Sequence, residues 1–149
     1  AAVAPLLYHL NFGYPLWSGR AELRVKAVST TPRDADSERS LDSWTRPAPL
    51  ETGPERVLEH EIQPGADGYG RAEVVGVGVG VRVEIRWRLA ELPRLHQWID
   101  PNPGMSVLGV EPANCSTRGR AHDRAEDRLP MLEPGEPRTT ELAITAVPA

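Results

Sequence analysis

The stretch VVGVGVGVRVEIRWRL, residues Val74 to Leu89, sets an apolar side chain at every second position: Val75, Val77, Val79, Val81, Val83, Ile85, Trp87 and Leu89. Glycine, arginine and glutamate fill the positions between. This period belongs to a strand with one buried and one wet face. The run exceeds the roughly 3 to 10 residues of a usual strand. Glycine takes positive φ without a Cβ penalty, so Gly76, Gly78 and Gly80 are predicted to hold a hairpin turn between two antiparallel strands.

Working outward, the same reading predicts strands over Leu6 to Phe12, Ala21 to Val28, Arg56 to Ile62, Met105 to Val110 and Thr139 to Val147. Within them Leu23, Val25 and Ala27 share one side, as do Leu142, Ile144 and Ala146. Fifteen prolines and 13 glycines punctuate these segments, which limits helix and favours turns. TTPRDADSERSLDSWTRPAPLETGPE reads as a long loop with one helical turn over Leu41 to Arg46. RGRAHDRAEDR is either a short charged helix or a solvated loop, because it has no apolar stripe. Short strands, long proline-rich connections and little helix predict an all-β chain, an antiparallel β-sandwich or barrel.

At 149 residues with 40% hydrophobic content the chain suits one domain with a closed core. Its 17 basic and 21 acidic residues leave a formal charge of −4, which offers no positive field to a phosphate backbone, so nucleic acid is not an expected partner. A single cysteine, Cys115, cannot close an internal disulfide, and a reducing cytoplasm is the expected compartment. No apolar run approaches the ~18 residues of a membrane span, and no cationic segment precedes the first apolar residues. The chain starts at Ala1 inside a strand-like segment, and further sequence upstream is expected.

Several chemistries are not supported. A dinucleotide fingerprint over GVGVG would need glycine where Val81 stands, and no helix follows. His9, His60, His96 and His122 share no metal-ligand spacing with one another or with Cys115, so no metal and no cofactor are expected. There is no Gly-x-Ser-x-Gly elbow, and an isolated cysteine is usually inert.

Two residues remain as candidates. His9 stands within the apolar run LLYHLNFGYPL, and Glu111 follows an apolar run in VLGVEPANC. Pro112 holds Glu111 in an extended conformation. An imidazole suits proton transfer near neutral pH and a partly buried carboxylate suits a general base, so the two can form an acid–base couple. The alternative at this level is a hydrogen-bonded core histidine and a solvated strand-end glutamate.

LLYHLNFGYPL, ELPRLHQWID, SVLGVEPANC and LPMLEPGEPRTTELAI, in that order, resemble the C-terminal half of the aldose 1-epimerase family, the galactose mutarotase-like superfamily. The likeness runs from about Leu6 to the end and is nearest to a little-characterised bacterial branch. It implies a large antiparallel β-sandwich of which residues 1–149 are the C-terminal part, lacking N-terminal strands that would carry another histidine and an arginine. By this resemblance His9 is the general acid, in the place of the family's His-x-x-Phe-Asn-like segment, and Glu111 the general base. Gln97 and Glu55 would bond sugar hydroxyls, Trp98 would offer its face to a pyranose ring, and His60 and His96 would serve surface or packing.

The implied partner is a small sugar and the implied reaction is interconversion of α and β anomers, with activity falling on both sides of neutrality. An unpaired sheet edge would invite self-association. Two other readings compete. One is a non-catalytic carbohydrate-binding sandwich using Trp17, Trp44, Trp87 or Trp98 as a stacking platform; the other is a sandwich that binds no sugar.

Overall fold

Gly76 pairs with Val81 in the computed structural model, which describes residues 1–149, and residues 77–80 form the turn of the predicted hairpin. Its arms are β6 (Tyr69–Gly76) and β7 (Val81–Arg88). Residues directly opposite share a face, so this register sets Val74 with Val83, Ala72 with Ile85 and Gly70 with Trp87. The single apolar parity expected through the whole run therefore breaks at the turn. Val75 points to the other face with Arg82, and Val77 and Val79 lie exposed in the turn. Trp87 fits because Gly70 opposite it has no side chain: a Cβ there would come within 2.6 Å of the indole.

The chain is all-β and antiparallel, as predicted. One sheet has the order β11 (Leu142–Pro148), β7, β6, β3 (Glu22–Val25). The other has the order β2 (Leu10–Phe12), β9 (Val107–Ala113), β8 (Arg94–Asp100), β5 (Arg56–Ile62), β4 (Ala27–Pro32). A small pair, β1 (Ala2–Val3) and β10 (Met131–Leu132), stands apart. Leu23, Ala72, Val74, Ile85 and Trp87 of the first sheet meet Ile62, Leu95, Leu108 and Val110 of the second, and these make the core. Trp17 and Trp87 are fully enclosed in it. Neither can serve as the stacking platform considered from sequence.

Several element boundaries differ from expectation for local reasons. The predicted strand from Ala21 to Val28 is two strands, β3 and β4, in different sheets, with Lys26 at the crossing. The ladder of the first predicted strand is continuous only over Leu10–Phe12 and resumes as a single bridge from Leu7 to Ala113: between them Tyr8 donates to the carbonyl of Pro112, but proline has no N–H to return. Helix α1 covers Ala35–Glu38 rather than residues 41–46, because the carboxylate of Asp34 accepts from the Ser37 amide at 2.9 Å and caps it there. The charged segment forms a short helix, α2 (Arg120–Ala125). Strand β8 was not among the predicted strands; its inward residues include Gln97 beside Leu95 and Ile99, which blurs the alternation. No helix is long and apolar enough to cross a membrane.

Candidate active site

The outward face of the five-stranded sheet carries a polar row. The registers place Thr31 opposite Glu59, Glu59 opposite His96, and His96 opposite Glu111. One step beyond the Leu10 to Val110 pair, His9 comes opposite Glu111 on the other side. The next row holds Asn11, Gly109, Trp98 and Val57. Residues far apart in the chain thus meet because the period of a strand sends alternate side chains to one face.

His9 Nε2 lies 2.8 Å from Glu111 Oε1. The imidazole is half-exposed, whereas the carboxylate is 4% exposed. The contact is close but not an aligned hydrogen bond, and Glu111 Oε1 has no hydrogen-bond partner within the chain. Burial, with a further push from the negative charge of Glu55, raises the Glu111 carboxyl to about 7. A carboxylate of this kind is an available acceptor whose proton affinity matches neutral pH.

Trp98 forms the adjoining wall. Its ring meets that of His9 edge-on, with centroids 5.4 Å apart and planes at 65°. The indole Nε1 donates to Glu55 Oε2 at 2.6 Å, and the other Glu55 oxygen accepts from Arg33 Nη1 at 3.1 Å. His9, Glu111, Trp98 and Glu55 therefore come together.

Gln97 does not join them. It lies on the core face of β8, 1% exposed, opposite Val110. Its amide nitrogen donates to the Trp44 carbonyl at 2.8 Å, and its Oε1 meets His60 Nε2 at 3.0 Å. An amide oxygen can only accept, so His60 carries its proton on Nε2 and accepts from the Thr30 hydroxyl through Nδ1, 2.9 Å away. Desolvation, partly offset by Gln97, lowers His60 to about 4 and keeps it neutral. The sugar contact expected of Gln97 is not supported by this placement, because both ends of the amide are engaged between the sheets.

His96 is fully buried, with Nε2 held by the Cys115 carbonyl at 2.8 Å and its acidity strengthened by burial. Asn11 and Gly109 were not singled out in the sequence, although Asn11 is in the same period-2 phase as His9 and Gly109 as Glu111. A cavity of about 740 Å³ lies elsewhere, beside β3 between Trp44 and Tyr69. Its rim charges Glu22, Arg24 and Glu73 pair with one another, whereas Glu111 is buried with an unpartnered oxygen, which makes the His9 and Glu111 face the candidate site.

This fold is shared with a solved structure. A protein described as a "putative aldose 1-epimerase from Klebsiella pneumoniae subsp. pneumoniae MGH 78578" superposes with a TM-score of 0.88 at 23% identity, over 95% of this chain and 38% of that one. The fold is thus the antiparallel β-sandwich of that structure, and the chain spans well under half the neighbour's length. By sequence the chain belongs to the family described as "Domain of unknown function (DUF4432)", matched over residues 1–146. No curated protein matches it.

Proposed function

We propose that the chain is the C-terminal part of an aldose 1-epimerase-like isomerase, with Glu111 as base and His9 as acid. The observation that supports this most is the 2.8 Å approach of the half-exposed imidazole to a buried carboxylate that has one unpartnered oxygen. A bound aldose would enter between the two groups. His9 precedes a three-residue edge strand, and its exposed ring can swing outward to admit the sugar.

The pair needs one proton between its members. Ionised Glu111 takes the proton of the anomeric hydroxyl while protonated His9 gives one to the ring oxygen, and the bond from the anomeric carbon to that oxygen breaks. The open aldehyde rotates about its bond to the next carbon. In reclosure the ring hydroxyl returns its proton to His9, the ring oxygen attacks the other carbonyl face, and Glu111 returns its proton to the new anomeric oxygen. Each positioned group contributes about 10²- to 10⁴-fold. No step draws on a cofactor.

Polarimetry or NMR of freshly dissolved α-anomer tests this. The expected result is faster equilibration with wild-type protein, in this chain or one extended at its N-terminus, and none with Glu111→Gln. An unchanged rate with both wild-type forms overturns the reading.

A second reading, sugar binding without turnover, draws on Trp98, whose partly exposed ring lies between Glu55 and the His9 imidazole. It predicts a sugar-dependent thermal shift with no change in anomer rate.

A further inference from the structure

We propose that Gly109 is a positioning residue for Glu111, the absence of a side chain at 109 being the seat in which the carboxylate lies. The inference rests on Glu111 serving as the base, but the seat is read from geometry that involves no sugar. Gly109 precedes Glu111 by two positions in β9, so both face outward, and it lies between Asn11 and Trp98 in the register. A Cβ at 109 would stand 2.6 Å from Glu111 Oε1 and 3.4 Å from its Cδ. The Glu111 side chain therefore lies back along its own strand, over the bare backbone of Gly109, instead of extending into solvent. This accounts for a carboxylate on an outward sheet face that is only 4% exposed.

The backbone does not demand glycine at this place. Gly109 is not among the glycines with positive φ, and a glycine inside a central strand weakens it by leaving nothing to pack. What requires glycine is close approach, from Glu111 on one side and from the Trp98 Cβ, 2.9 Å from the same point, on the other. The two neighbours would respond differently to a methyl group. Trp98 Cβ is fixed to the next strand, whereas the carboxylate is the free end of a flexible chain. In Gly109→Ala the carboxylate is the group that moves, out of its dry seat and into water. Loss of desolvation then returns it towards the ordinary carboxylate value of 4.5.

The test is a carboxyl titration by NMR of protein labelled at the glutamate side-chain carboxyl carbons, with the Glu111 signal assigned by its loss in Glu111→Gln. In wild type the midpoint is expected near 7. In Gly109→Ala, shown by thermal melting to be folded, it is expected to fall by at least about one pH unit. A folded Gly109→Ala with the wild-type midpoint overturns the proposal, as does a wild-type midpoint already in the ordinary range. Should the Trp98 contact prevent Gly109→Ala from folding, the comparison is made between Trp98→Gly and Trp98→Gly/Gly109→Ala, where that contact is gone; equal midpoints there overturn it as well. Since no sugar is present, absence of anomer turnover would sink the proposed function and leave this result unaffected.

Discussion

Glu55 holds the indole of Trp98 through a 2.6 Å hydrogen bond and is at the same time the like charge that helps keep Glu111 protonated. One side chain therefore sets both the wall of the site and part of its proton affinity. Neutralising it in Glu55→Gln removes the repulsion, so the Glu111 midpoint and the acid limb of kcat/KM should both move to lower pH, by a few tenths to about one unit. A limb that stays in place or moves upward would show that Glu55 does not act on Glu111 through charge.

For wild type the acid limb itself is expected near pH 7, because below that value Glu111 holds its proton and cannot take another. A pH profile of anomer equilibration measures it. A limb near pH 4 would mean that the ionising base is some other, solvated carboxylate.

Glu111→Gln should trade activity for stability. The folded-state value, about 7, lies above the ordinary 4.5, so folding favours the protonated form. The stabilising effect of that proton is complete at low pH and is lost as pH rises towards 7. The neutral amide avoids the loss. It should raise stability by about 3 kcal/mol at pH 8, a gain that shrinks towards zero near pH 4, while kcat/KM falls by about 10²- to 10⁴-fold. Urea unfolding at the two pH values is the check.

Gln97→Leu separates packing from binding. It strips partners from His60 Nε2 and the Trp44 carbonyl, both between the sheets, and should cost about 1 to 3 kcal/mol with sugar affinity unchanged. A weakened sugar interaction in a variant of undiminished stability would return Gln97 to the site.

His60 supplies an acid-sensitive element of the fold. Its folded-state value of about 4 lies below the ordinary 6.5, so its contribution is complete above pH 6.5 and is lost as pH falls towards 4, where the folded form protonates as well. The loss should total on the order of 3 kcal/mol. Between pH 7 and pH 4 Glu111 contributes in the opposite sense in both proteins, so the check is the difference in denaturant midpoint between wild type and His60→Gln, which should shift against wild type by this amount as pH falls.

Much of this was legible in the chain because it is local. The alternation from Val74 to Leu89 and the glycines within it identify a hairpin without reference to any other segment, and the strand at Arg56–Ile62 is bounded where its pattern begins and ends. The residues themselves pointed to His9 and Glu111, and the resemblance gave these two their roles and added Gln97, Glu55 and Trp98. What the local pattern could not convey was phase. The turn at residues 77–80 reverses which parity faces the core, and neighbours such as Gln97 and Trp98 differ only in the side of β8 on which they fall.

The chain by itself determined the all-β class, most strand positions and the residue types able to exchange protons, since these follow from period-2 hydrophobicity and side-chain chemistry. Register between strands was decided only in the folded molecule. It set His9 against Glu111, sent Gln97 inward to His60, and laid the carboxylate over Gly109. The physical reason is that a strand carries its alternation alone, but which side chains become neighbours depends on backbone pairing across residues distant in sequence, where a shift of one position would move every side chain to the opposite face.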